Sequence, residues 1–178
     1  MEEKQTSLGL HTLIYGVGTG LVLIVLSLIL YVTNLYMNDV LRYLEYVIMI
    51  AGMVIGSLQY RKVQLKGFMT YGQAFSANFL IGLFATVVSV IFFFFYIKYI
   101  NTGLIDEIMA QVRTKMEAKA GNMSQEQMDQ SMMWTEKFMS PVWMVIWGFL
   151  VSAFWAAILS LIIAIFIKKK NPDAPTMI

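Results

Sequence analysis

The sequence contains no cysteine and a single histidine, and these two scarcities remove several kinds of chemistry at once. Disulfides, thiolate metal sites and cysteine nucleophiles all need a residue that is absent. A zinc site built from nitrogen and sulfur ligands needs three or four of them, and one histidine cannot supply the set. Charge is scarce too: Asp, Glu, Lys and Arg make up 13% of the 178 residues, against about 25% in an ordinary soluble domain. The formal net charge of +2 is too small for a nucleic-acid footprint, and no nucleic-acid partner is expected.

Apolar residues fill the place of charge. They account for 58% of the chain, and mean hydropathy is +0.67, which puts the protein in the membrane class. Crossing a hydrocarbon layer about 30 Å thick takes roughly 20 apolar residues. Four uncharged runs are long enough or nearly so: Leu13 to Val32, Tyr46 to Tyr60, Phe75 to Ile97 and Val142 to Ile167. The second reaches full length only if it starts near Val40, with Arg42 and Glu45 in its first turns. The expected architecture is all-α: an integral membrane four-helix bundle forming one domain, with spans at about 10–32, 40–60, 73–100 and 141–167. The polar start before the first run resembles a secretory signal, but Glu2 and Glu3 precede Lys4, the apolar run is about twice a signal's apolar core and no small-x-small cleavage site follows it, so it reads as a retained helix.

The segment between the third and fourth spans, about 103–139, has soluble-type composition. Ile105, Ile108, Val112 and Met116 recur at helical spacing opposite Glu107, Arg113 and Glu117. Gly121-Asn122 then carries residue types that stop a helix, and Ser124 with Gln127 has capping-box form. Met128, Met132, Thr135 and Met139 line one face of a second helix before Pro141. An extramembrane amphipathic hairpin is therefore expected, with the apolar faces around Met116 and Met128 as possible partner contacts. Seven of the fourteen methionines lie here, yet only Met132-Met133 are adjacent, too sparse for thioether copper binding.

Orientation follows from Lys and Arg in the short connections. Lys4, Arg61, Lys62, Lys66 and Lys168-Lys169-Lys170 fall on one side, seven in all. The six on the other side include four deep in the long connection, where charge weighs little. Both termini are expected in the cytoplasm, with Tyr31, Tyr36, Tyr43, Tyr96, Tyr99, Trp134 and Trp143 forming an outer aromatic belt.

Small residues mark helix-packing seams. Gly16 and Gly20, then Gly52 and Gly56, form GxxxG in the first and second spans, and Gly148, Ser152, Ala156, Ser160 and Ala164 repeat at every fourth position in the last. These seams are expected to hold the protein's own helices together, with a homodimer or other homo-oligomer seam as the alternative, and the matching GxxxG makes pairing of the first and second helices the first expectation.

Candidate chemistry is thin. No ionisable residue sits at an expected midplane, as ion coupling or proton relay would require. The span serines have no base at comparable depth, and His11 lies just before the first span, where an interfacial role is commoner than a catalytic one. Neither an enzyme nor a cofactor is expected. The most distinctive local pattern is Lys66-Gly-Phe-Met-Thr-Tyr-Gly-Gln-Ala-Phe75, an interfacial turn that re-enters the membrane. With Arg61, Lys62 and Lys66 it could contact membrane lipid or a membrane protein partner. The rival reading is a small oligomeric transporter or channel, with Gln59, Gln73, Asn78 and Thr86 lining a polar path.

The Gly67-to-Phe75 stretch, Tyr99-Ile-Asn101, the Met- and Glu-rich connection, Phe138-Met-Ser-Pro141 and Lys168-Lys-Lys-Asn-Pro172 together resemble a family of small bacterial membrane proteins of unknown function, found mainly in the Bacteroidota. The resemblance covers nearly the whole chain and implies the bacterial inner membrane as the compartment. It implies no activity. Thr102 stands where similar sequences carry proline after the third helix.

Overall fold

The computed structural model describes residues 7–36, 38–119 and 125–172. Among them the chain is all-helical: α1 Leu8–Val32, α2 Asp39–Val63, α3 Tyr71–Phe95, α4 Leu104–Lys119, α5 Gln125–Phe138 and α6 Pro141–Ile167, with a π-helical turn Tyr96–Ile100 continuing α3. Four helical segments are long and apolar enough to cross a membrane: Leu8–Val32, Tyr43–Val63, Tyr71–Ile100 and Pro141–Ile167. The chain is a membrane protein. It divides into two compact units, Met1–Ser89 with Val151–Ile178, and Val90–Leu150.

The helix starts are written in local chemistry. Ser7 accepts from the Leu10 N–H at the head of α1, and the Asn38 side chain accepts from the Val40 and Leu41 N–H groups at the head of α2, which satisfies donors that a helix start leaves open. At the head of α3, Thr70 and Gln73 form a reciprocal capping box. The Gln73 side chain accepts from the Thr70 N–H at 2.9 Å, and the Thr70 hydroxyl accepts from the Gln73 N–H at 3.3 Å.

In the first unit α3 is the helix the others share. Gly16 and Gly20 of α1 lie against it: a Cβ on Gly16 would sit 2.5 Å from Phe84 Cβ and 2.8 Å from the Ile81 carbonyl oxygen, and one on Gly20 would sit 2.9 Å from Val88 Cβ. Gly52 of α2 faces Thr19 of α1, and Gly56 faces Tyr15 of α1 and Ile81 of α3. α1 and α2 pack against each other, as their shared GxxxG suggests, but the two glycine faces do not meet. The glycines of α1 admit α3, while those of α2 admit α1, because each backbone approaches where its own side chains vanish. On α6 the buried Ala156, Ser160 and Ala164 continue the small-residue stripe, and Ala156 Cβ would lie 3.0 Å from a Cβ on Gly82 of α3. Ser152 is half-buried, and no described residue approaches within 4 Å of a Cβ on Gly148. Met53, Met69, Ala74, Ala77, Ile81, Ile163, Ala164 and Ile167 form the buried apolar cluster.

Several polar side chains inside this unit are paired over short reach, while the buried Thr86 and Ser89 hydroxyls lack a partner among the described residues. Ser57 donates to the Asn78 side-chain oxygen at 2.9 Å, and the Asn78 amide donates to the Ala74 carbonyl at 2.8 Å. His11, in the first turn of α1, is buried against α2. Its Nε2–H donates to the Gly56 carbonyl at 2.9 Å while the ring stacks on Tyr15. The glycine exposes that carbonyl, so an imidazole from the neighbouring helix can reach it.

The second unit contains the π-helical turn, α4, α5 and the start of α6. Tyr96 is buried and packs on Phe92 and Phe93. Thr102-Gly103 make a turn in which the Leu104 N–H donates to the Asn101 carbonyl at 3.2 Å, so the reversal forms without proline. Asp106 and Glu107 occupy the first turn of α4, where carboxylates complement the helix dipole. Ile105, Ile108, Val112 and Met116 are half-buried and Glu107, Arg113 and Glu117 exposed; Met128, Met132, Thr135 and Met139 are likewise half-buried on α5. The two helices touch one another. The stop and cap signals at Gly121-Asn122 and Ser124 lie outside the described residues, as does the side chain of Arg42.

Candidate functional site

The α2–α3 connection is built by backbone geometry that few residues adopt. Lys66 and Gly67 have φ values of 51° and 90°, and at Gly67 the left-handed conformation costs no Cβ clash. The Gly67 N–H donates to the Arg61 carbonyl at 2.9 Å, and the Phe68 N–H to Leu65 at 3.1 Å. The chain then meets the residues that follow α6. Met69 and Lys169 exchange both backbone hydrogen bonds, at 2.9 and 2.8 Å, as an isolated antiparallel bridge.

This bridge joins two basic segments about a hundred residues apart in sequence. Arg61 Nη1 donates to the Ile167 carbonyl at 2.6 Å, placing a cation on the open carbonyls at the end of α6. Lys169 Nζ stands 5.8 Å from the Phe68 ring centroid, within cation–π reach. Between these elements lies a groove of about 410 Å³ lined by Ile55, Leu58, Gln59, Arg61, Lys62, Gly67 and Lys169. Among the described residues three of those lining it are cationic and none is acidic.

Of the residues singled out from sequence, Arg61 and Lys62 line this groove. Lys66 is exposed on the adjoining turn, and Met116 and Met128 belong to the other unit. Sequence reasoning missed Lys169. The triple lysine was read only as an orientation signal, since no local pattern announces a one-residue bridge. The polar residues offered as a transport path have separate surroundings. Gln59 and Gln73 are exposed, the latter as a helix cap. Asn78 is fully buried and bonded to Ser57, and Thr86 is buried with its hydroxyl lacking a partner among the described residues.

Fold and site together define an all-helical multi-pass membrane protein with a basic groove where its second connection meets the segment after the last span. The chain belongs to the family described as protein of unknown function (DUF4199), whose model matches residues 14–169. Searches of the curated proteins and of the solved structures found no match.

Proposed function

We propose that this chain is a non-enzymatic accessory protein of the bacterial inner membrane, with both termini in the cytoplasm, that acts by contact and not by bond chemistry. Its contact surface is the basic groove formed by the end of α2, the Lys66-Gly67 turn and Lys169, and its counterpart carries negative charge at the membrane surface. The observation that carries this reading is the Met69–Lys169 bridge, which gathers cations from two distant segments around one cavity instead of leaving them dispersed in water. Lysines scattered for topology alone need no such convergence. The lysine excess on this side also supports the orientation, and a cytoplasmic leaflet rich in anionic lipid would supply complementary charge.

The test is purification of the tagged full-length protein from its native membrane in mild detergent, followed by mass measurement of what stays bound. A component recovered at constant stoichiometry and lost when Lys62, Lys66 and Lys169 are changed to glutamine is expected. Identical bound material from the neutralised protein would overturn the reading. Labelling of single cysteines at Gln64 and Thr102 with an impermeant reagent checks the orientation, Thr102 being the expected reactive position in intact cells.

A further inference from the structure

We infer that the groove holds one anionic phospholipid, its phosphate between the ammonium groups of Lys62 and Lys169 and one acyl chain along Ile55 and Leu58. This rests on the basic groove being a contact surface and names its occupant.

Charge comes first. Arg61 is drawn to the Ile167 carbonyl at 2.6 Å, so it fixes the end of α6. Lys62 and Lys169, the latter also within cation–π reach of Phe68, are the lining cations that remain for a ligand. Among the described residues no carboxylate lines the groove to compete. An ammonium is a compact donor that binds phosphate as a point charge.

Polarity along the groove then separates a lipid from other anions. Ile55, Leu58, Gln59 and Lys62 stand at i, i+3, i+4 and i+7 on α2 and form one stripe. At 1.5 Å per residue, Ile55 lies roughly 10 Å along the helix axis from Lys62. Cation, amide and aliphatic groups therefore succeed one another in the order of phosphate, glycerol backbone and acyl chain in a bilayer leaflet. Ile55 is 59% exposed and Leu58 36%, so this apolar half is open to a chain lying against it. An acidic peptide or a free phosphate would leave the apolar half unused. The groove's volume of about 410 Å³ lies within the range of roughly 300–1,000 Å³ typical of ligand sites. It is far larger than one phosphate requires.

The test uses the full-length protein reconstituted in vesicles of phosphatidylglycerol with phosphatidylethanolamine in excess, re-extracted in mild detergent and weighed by native mass spectrometry. One phosphatidylglycerol per chain is expected to persist in preference to the more abundant zwitterionic lipid. Joint Lys62→Gln and Lys169→Gln should lower that retention by about tenfold or more, the order expected for losing two surface cations. Leu58→Trp keeps every charge but fills the apolar half, and should also lower retention. Circular dichroism and the unfolding midpoint confirm that each variant is folded. Equal retention by the variants, equal retention of the two lipids, or displacement by glycerol phosphate alone would overturn the lipid assignment. If a protein is instead recovered from native membranes and lost with the same lysines, the lipid assignment fails and the contact-surface reading stands. If neutralising the lysines changes nothing that is bound, both fail.

Discussion

The first unit is held together by what its helices lack, and the second by what its helices display. In the first, glycines at 16, 20, 52 and 56 let neighbouring helices approach to distances where an added Cβ would collide, and several buried polar atoms find partners across or along helices. In the second, the apolar positions of α4 and α5 are half-buried stripes on otherwise exposed helices. Lipid supplies no hydrophobic drive between spans, so close fit and hydrogen bonds must do so, whereas a hairpin in water can rely on a partly buried apolar face. Substitutions in the two units should differ in size accordingly.

The largest expected effect is Gly16→Leu. Its Cβ alone would meet Phe84 Cβ at 2.5 Å and a backbone carbonyl at 2.8 Å, and a backbone cannot step aside as a flexible side chain can. A loss of about 3 kcal/mol, the upper end for overpacking, is expected in reversible unfolding in mixed micelles. The matched control is Gly148→Leu, where no described residue lies within 4 Å and a change within about 0.5 kcal/mol is expected. Equal losses at the two positions would break the distinction between an occupied and an open seam.

Next comes Asn78→Ala. It leaves the Ser57 hydroxyl, fully buried and donating to Asn78 at 2.9 Å, without its acceptor. The expected cost is about 1–2 kcal/mol, combining a lost interhelical bond with a buried orphan donor. Ser57 could turn back to its own helix's carbonyls, which limits the loss. The double variant Ser57→Ala with Asn78→Ala should therefore be less destabilised than the sum of the single variants, read from the same unfolding curves.

These contrasts also explain what could be read from sequence. Each apolar run is long enough to announce a span by itself, and the stripe Ile105, Ile108, Val112 and Met116 announces its face, because both signals are local periodicities. The shared GxxxG suggests that α1 and α2 pair, as they do, but that Gly16 itself meets α3 is not local. GxxxG states that a helix can be approached closely but not by which helix, and three other spans compete for that face. The groove was half legible for the same reason. Arg61 and Lys62 stand beside a turn marked by glycine, while Lys169 reaches them only through a bridge that depends on where α6 ends relative to α3. His11 is a further case: nothing among its sequence neighbours announces that its ring meets the Gly56 carbonyl of α2.

In the second unit, Met116→Ser and Met128→Ser are each expected to cost about 1 kcal/mol or less, since half-buried side chains surrender only part of their transfer energy. Hydrogen exchange should show the change confined to α4 and α5. Losses as large as that of Gly16→Leu would mean that the hairpin is cored like the first unit.

Arg113→Ala is expected to have the smallest effect, no more than about 0.3 kcal/mol. Arg113 and Glu117 approach to 3.5 Å, but their side chains are 65% and 57% exposed, so water screens the pair and holding it costs rotamer freedom. Its direction is also the weaker one, with the cation on the N-terminal side of the carboxylate, against the helix dipole. Alanine, the better helix former, offsets part of what is lost. The informative control is Glu117→Ala, which removes the other half of the pair and should match it within error in the same unfolding measurement. If Arg113→Ala were far costlier than Glu117→Ala, the ion pair could not be the cause. The aliphatic stem of Arg113 would then be covering apolar surface on the hairpin, and α4 would bury more than one face.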